Sequence, residues 1–121
     1  MKLGEVENLL HATVLTECYD PEMDVDSAFC SDMMSNVLAY ANDKSILITG
    51  LYNAQVLRTA DMMGMACVVF IGRRDPDPEI IRLADELEIC VMLTRSSMFT
   101  TCGILFYNGL NGGVPSELQQ R

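Results

Sequence analysis

Residues 45–108 read SILITGLYNAQVLRTADMMGMACVVFIGRRDPDPEIIRLADELEICVMLTRSSMFTTCGILFYN, and their rhythm decides the fold. Ser45–Thr49 is an apolar run of strand length, and a helix is expected from about Asn53 to Met63. That helix places Val56, Leu57, Ala60 and Met63 on one face, with Arg58 and Asp61 elsewhere. Gly64 is placed to end it. Cys67–Ile71 is a continuous apolar strand, as expected where both faces of a sheet are covered. Asp77 is a natural N-cap with Pro78 at the first helical position. The helix it opens buries Ile80, Ile81, Ala84 and Leu87, and Arg82 and Glu86 are spaced to pair across one turn. Ile89–Leu93 is the next strand. Ser96 then caps a last helix with Met98, Phe99, Cys102, Leu105 and Phe106 inward, stopped at Asn108-Gly109.

Strand and helix thus alternate three times with short loops, which demands a mainly parallel sheet joined by right-handed crossovers. Three such units form half of a doubly wound layout, and the N-terminal segment must complete it. There, residues 2–10 carry Leu3, Val6, Leu9 and Leu10 at helical spacing. Ala12–Thr16 reads as a strand, Glu17–Asp26 as an acidic loop and Ser27–Cys30 as a short strand. Asp32 is placed to cap a helix through Tyr40 that buries Met33, Met34, Val37 and Leu38. The expected fold class is α/β: a single three-layer domain over residues 1–110, its sheet flanked by helices, with 111–121 a flexible tail.

Composition restricts the functions this fold can serve. The 121 residues suffice for one core, and half of them are hydrophobic. Net charge is −9, and residues 1–43 hold nine acids against Lys2 alone. A chain this acidic without a basic stripe repels phosphate backbones, so nucleic acid is not an expected partner. There is no membrane-length apolar run and no signal peptide, so a cytoplasmic protein is expected. The five cysteines show no C-x-x-C spacing. Cys67 and Cys90 fall inside apolar strands and read as reduced core residues, and the methionines read as core gap-fillers.

In open α/β sheets ligands bind beyond the carboxyl ends of the strands. This chain places Ser31-Asp32, Thr49-Gly50, Gly72-Arg73-Arg74 and Thr94-Arg95-Ser96 there. Three of its eight basic residues fall on that edge, where helix starts also offer free N–H groups. The expectation is an anion-binding mouth in which Arg73, Arg74 and Arg95 supply charge and Thr49 and Thr94 donate hydroxyls. Asp32 either caps its helix or accepts from a ligand ribose or amine. Against this stands ordinary pairing of the arginines with Asp75, Asp77 or the acidic N-terminal segment.

Other chemistry finds less in the sequence. The alternating acids Asp20, Glu22, Asp24 and Asp26 lack the glycine and the closing glutamate of a calcium loop, since Val25 and Ser31 stand at those places. His11, the only histidine, follows Leu9-Leu10 at a helix end and reads as a capping or surface residue. Nucleophile elbow, Walker loop and dinucleotide fingerprint are all missing, so no enzymatic activity, metal or cofactor is expected. A redox sensor built on Cys18 and Cys30 needs a lowered thiol pKa, which the surrounding acids oppose.

The order of elements resembles the DRTGG domain family, related in fold to the N-terminal domain of bacterial HPr kinase/phosphorylase. Ser31-Asp32-Met33-Met34-Ser35-Asn36-Val37 is similar to the family's Ser-Asp-Leu-Leu-Ser-Asp-Val stretch. Ile46–Thr49 and Val68–Gly72 add support, as does Arg74-Asp75-Pro76-Asp77, which resembles its Gly-Arg-Glu-Pro-Asp turn. Val91–Thr94 followed by Ser96-Ser97-Met98-Phe99 resembles its Thr-x-x-Ser-Thr-Phe segment. Where the name-giving motif falls, this chain reads Asp24-Val25-Asp26-Ser27-Ala28, with Ser-Ala in place of the paired glycines. The resemblance implies a non-catalytic regulatory or ligand-sensing module, in some relatives one involved in adenine-nucleotide binding or subunit contacts. Carried over by residue, its implied site is Ser31, Asp32, Thr49, Gly72, Thr94 and Ser97. The alternative is a protein-interaction module, a homodimer or a domain docked on a larger enzyme. Its adaptable methionine-rich helices and acidic N-terminal third would form the contact surface.

Overall fold

The computed structural model describes residues 1–113. The chain runs α1 (Leu3–Leu10), β1 (Thr13–Val14), β2 (Ser27–Cys30), α2 (Met34–Tyr40), β3 (Ser45–Thr49), α3 (Ala54–Met62), β4 (Cys67–Ile71), α4 (Pro78–Glu86), β5 (Cys90–Thr94) and α5 (Met98–Tyr107). The strands form one sheet in the order β1-β5-β4-β3-β2. Four of them are parallel, and β1 alone is antiparallel, pairing Thr13 with Leu93 and Val14 with Met92.

This order departs from the doubly wound layout. From β2 to β5 every crossover steps in the same direction, so right-handed connections leave α2, α3 and α4 together on one face. Alternate strand residues then feed two cores. Leu47, Val68, Phe70 and Val91 pack under Val37, Val56, Leu57, Ala60, Ile80 and Ala84. Ile46, Ile48, Cys67, Val69, Cys90 and Met92 pack under Leu3, Val6, Leu10, Leu105 and Leu110 on the opposite face. The result is the three-layer α/β domain expected from the alternation, with α1 and α5 supplying the second helical layer.

Helix ends follow one recurring device. Met65 N–H donates to Ala60 C=O (2.9 Å), Ile89 to Ala84 (2.8 Å) and Leu110 to Leu105 (3.0 Å), each across a residue of positive φ. These are the wrapped turns that satisfy the last carbonyls of a helix. Gly64 (φ 70°) fills the left-handed position after α3 without strain, whereas Glu88 (φ 59°) occupies it after α4. His11 (φ 49°) does the same after α1 and turns the chain into β1. The residues that follow, Met65, Ile89 and Leu110, are all buried, so each wrap also seals a core edge.

Several local expectations need correction. The first strand is only Thr13–Val14, because Leu15 N–H still reaches Val91 C=O but the chain then leaves the edge. The N-cap of α2 is Met33, and Asp32 does not cap it. Only Val37 of α2 is fully buried, with Met33 and Leu38 exposed, since this short helix lies at the margin of its layer. Ser97, not Ser96, caps α5, accepting from Thr100 N–H at 3.2 Å. Phe99 and Phe106 point outward at 88% and 75% exposure, so the buried face of α5 is Thr101 and Leu105 instead. That helix carries no charged residue on any side, so its periodicity could not tell which face turns inward. Met33 and Met62 likewise lie on the surface and are not core fillers, whereas Met65 is buried. Arg82 and Glu86 make no ion pair: among the described residues the one pair within 4.0 Å is Lys2–Asp24, at 2.8 Å.

Of the expected tail, residues 114–121 lie outside the described residues. Asn111 is bonded to the sheet, its C=O accepting from Ala28 N–H at 2.9 Å.

Candidate functional site at the carboxyl edge of the sheet

Because β2, β3, β4 and β5 are neighbours in that order and parallel, their carboxyl ends form one continuous edge. Ser31-Asp32, Thr49-Gly50, Gly72-Arg73-Arg74 and Thr94-Arg95 therefore follow one another along it. Sequence spacing placed each at a strand end; only the strand order makes them adjacent.

The β2–β3 half of the edge is knit together internally. Asp32 Oδ1 accepts from Thr49 Oγ1 at 2.9 Å and from Gly50 N–H at 2.7 Å. Gly50 C=O in turn accepts from the Arg74 guanidinium at 2.7 Å. The Asp32 carboxylate thus serves the β3 turn rather than α2, and Thr49 is wholly buried with its proton already placed. Ser31 Oγ accepts from Met33 N–H in a local turn. Thr94 is likewise buried, donating to Leu10 C=O at 2.9 Å, which ties β5 to the end of α1. Neither threonine hydroxyl is free to donate to a ligand in this arrangement. Ser97 is occupied as the α5 cap.

The β4–β5 half is open. A pocket of about 290 Å³ lies there, with Arg74, Arg95 and His11 at its polar rim and Leu15, Leu93 and Pro76 as apolar wall. Gly72 (φ 85°) makes its floor turn and donates N–H to Ser96 C=O at 3.2 Å. Asp75 is the one carboxylate on the lining. Arg73, exposed, is not among the lining residues. The arrangement suits a ligand with an anionic group and a flat apolar part, because arginines recognise planar anions through several donors while aliphatic walls desolvate a ring.

A larger cleft of about 620 Å³ runs between α3 and α4, with Arg58 and Arg82 facing Asp77, Glu79 and Glu86. Its carboxylates outnumber its arginines, so it does not favour an anion, and the smaller pocket is the better candidate. On the lining of that larger cleft, Tyr52 packs edge-on against Phe70 (4.8 Å) and accepts from Asp77 N–H at 2.9 Å. Burial pushes its phenol up; the N–H donor works against this, and the charges of Asp77 and Asp75 add to it.

His11 is the residue that sequence reading left out of the site. It caps α1 as expected, but the antiparallel pairing of β1 with β5 also carries it to the pocket rim. Nothing in the local text signals that pairing. The motif aligned with the family name lies at the other end of the sheet. Asp24 pairs with Lys2, and Ser27 shares a buried hydrogen bond with Ser45, both at the starts of their strands. No group of three or more His, Cys, Asp or Glu is placed to hold a metal among the described residues. Among those residues, no helix is long and apolar enough to cross a membrane.

The DRTGG domain model matches residues 5–106, and the protein belongs to the DRTGG domain family. A search of curated proteins returns no match. Among solved structures, the chain is similar to the CBS and DRTGG domains of the regulatory region of Clostridium perfringens pyrophosphatase, complexed with its activator diadenosine tetraphosphate. The TM-score is 0.73 at 19% identity, covering 86% of this chain. The match spans 45% of that chain, so this protein corresponds to somewhat less than half of the regulatory region it resembles.

Proposed function

We propose that the protein is a non-catalytic regulatory module that binds a small anionic ligand, an adenine nucleotide or dinucleotide, in the pocket between β4 and β5. The observation that carries this reading is the rim of Arg74 and Arg95 over an apolar wall, in a chain of net charge −9. Membership of the DRTGG family supports it, as does the nucleotide bound to the similar pyrophosphatase region. Arg74 also carries the link to the rest of the edge. Drawing its guanidinium onto a ligand phosphate would release Gly50 C=O and, through Gly50, disturb the Asp32 contact.

The test is a thermal-shift titration with ATP, AMP, diadenosine tetraphosphate and inorganic phosphate. A ligand at a hundredfold above its dissociation constant adds about 2.7 kcal/mol, a rise of roughly ten degrees for a domain of this size. Arg95→Ala and the Arg74→Ala/Arg95→Ala double variant should lose the shift, and Arg73→Ala should keep it. A shift retained in the double variant would remove the site from consideration.

One observation favours a second reading as an interaction module. Phe99, Phe106 and Tyr107 stand 75–89% exposed on α5, more apolar ring than a free surface normally shows. Silence across the nucleotide panel, with self-association in sedimentation lost on Phe106→Ser, would favour it.

A further inference from the structure

Cys30 closes β2, the edge strand, and Cys102 sits in the middle of α5, yet their Sγ atoms stand 2.9 Å apart. Both are free thiols. They line a small apolar recess of about 130 Å³ together with Ala28, Leu105, Phe106 and Leu110. Cys30 is exposed and Cys102 partly so, which gives a small oxidant a way in. The other facing pair, Cys67 and Cys90, is in register across β4 and β5 but lies inside the core.

We propose that Cys30 and Cys102 are a modification site that forms a reversible disulfide, with hydrogen peroxide as oxidant. Closing from 2.9 Å to a bonded sulfur distance of about 2.05 Å asks for a movement of roughly an ångström. Burial, with the hydrogen bond and charge of Cys102, pushes the Cys30 thiol up, so the reaction draws on a small thiolate fraction and rests on the pre-placed sulfurs rather than on an activated thiol. That thiolate attacks hydrogen peroxide, the O–O bond breaks, and the leaving oxygen takes up a proton as water, which leaves a sulfenic acid. Cys102 then attacks the Cys30 sulfur. The S–S bond forms as the S–OH bond breaks, and the hydroxide leaves as water with the Cys102 proton. In sum two thiols and one peroxide give a disulfide and two waters, with two electrons passing from sulfur to oxygen. A dithiol reverses it by exchange. The bond staples α5 to the end of β2, two residues before Asp32. Oxidation therefore acts on the arm that holds the Thr49–Gly50 turn.

The experiment treats the reduced full-length chain with hydrogen peroxide and maps linked peptides by mass spectrometry without reduction. A Cys30–Cys102 link should dominate, reversed by dithiothreitol, and both cysteines should resist maleimide labelling after oxidation. Cys102→Ser and Cys30→Ser should form no intramolecular link, and dimedone should trap a sulfenic acid at Cys30 in Cys102→Ser. Wild-type closure should run at least about tenfold faster than any disulfide formation in either variant, because the thiols are pre-placed. A different dominant pair, links only between chains, or continued labelling of both thiols would overturn the proposal. Labelling of the wild type reads the outcome even where a variant fails to fold.

Discussion

Removing the Asp32 carboxylate is the perturbation that best tests the logic of the edge. In Asp32→Ala, Thr49 Oγ1 and Gly50 N–H lose the acceptor they hold at 2.9 and 2.7 Å. The two losses differ in weight. Gly50 lies at the rim, where water can replace the carboxylate, so this bond is worth about 1 kcal/mol. Thr49 is 0% exposed, and its hydroxyl, which still accepts from Leu51 N–H at 3.1 Å, keeps an unplaced proton. That costs about 1–3 kcal/mol. The sum is about 3 kcal/mol, or roughly ten degrees or more in the thermal midpoint. Asp32→Asn, which retains an acceptor oxygen, should cost about 1 kcal/mol because only the charge assistance is lost. Urea unfolding of the two single variants and of a cycle with Thr49→Val measures this directly. With Thr49→Val in place there is no hydroxyl to strand, so Asp32→Ala should then cost only about 1 kcal/mol, a coupling of about 2 kcal/mol. Full additivity of the cycle, or an Asp32→Ala variant within about 0.5 kcal/mol of the parent, would refute the reasoning.

Two further outcomes follow from local geometry. Glu88 holds φ 59° in the wrapped turn that ends α4, so Glu88→Gly should raise stability by roughly 0.5–1 kcal/mol in urea unfolding; a loss would mean that its side chain matters more than its backbone. Tyr19 donates to Glu7 at 2.5 Å, and this bond, with burial and the charge of Glu7, pushes its phenol up to about 12. The folded value lies above the unfolded one of about 10. The stabilisation is therefore complete below pH about 10 and is lost as pH rises through about 12. Solvent screens much of that energy at this partly exposed site, so ultraviolet titration is the sharper readout. One of the four tyrosines should ionise near 12 and return toward ordinary values in Glu7→Gln.

The edge also shows how a site can be spelled in the sequence and still not be located by it. The ends of β2, β3 and β4, the Asp77 cap and the Gly64 stop were legible because each depends on residues within a turn of one another. Asp32 looked like a cap for the same reason: an acid just before a helical pattern has a nearby N–H to serve. The partners it takes, Thr49 and Gly50, lie 17 and 18 residues away, where local rules have no reach. The outward turn of Phe99 and Phe106 has no marker in the sequence, because α5 carries no charged residue to show which side meets solvent.

What the sequence determined by itself was the α/β alternation, hence a parallel sheet, and the set of residues delivered to its carboxyl edge. Those follow from periodicity and crossover handedness, which are properties of the local chain. The tertiary structure alone decided which strands stand side by side, and so which of those residues meet. Pairing β1 antiparallel to β5 brought His11 to the arginine rim, and placing β2 at the far edge beside α5 brought Cys30 to Cys102. Strand order is a global choice among alternatives with similar local energies, settled by how two apolar faces are covered at once rather than by any single stretch of sequence.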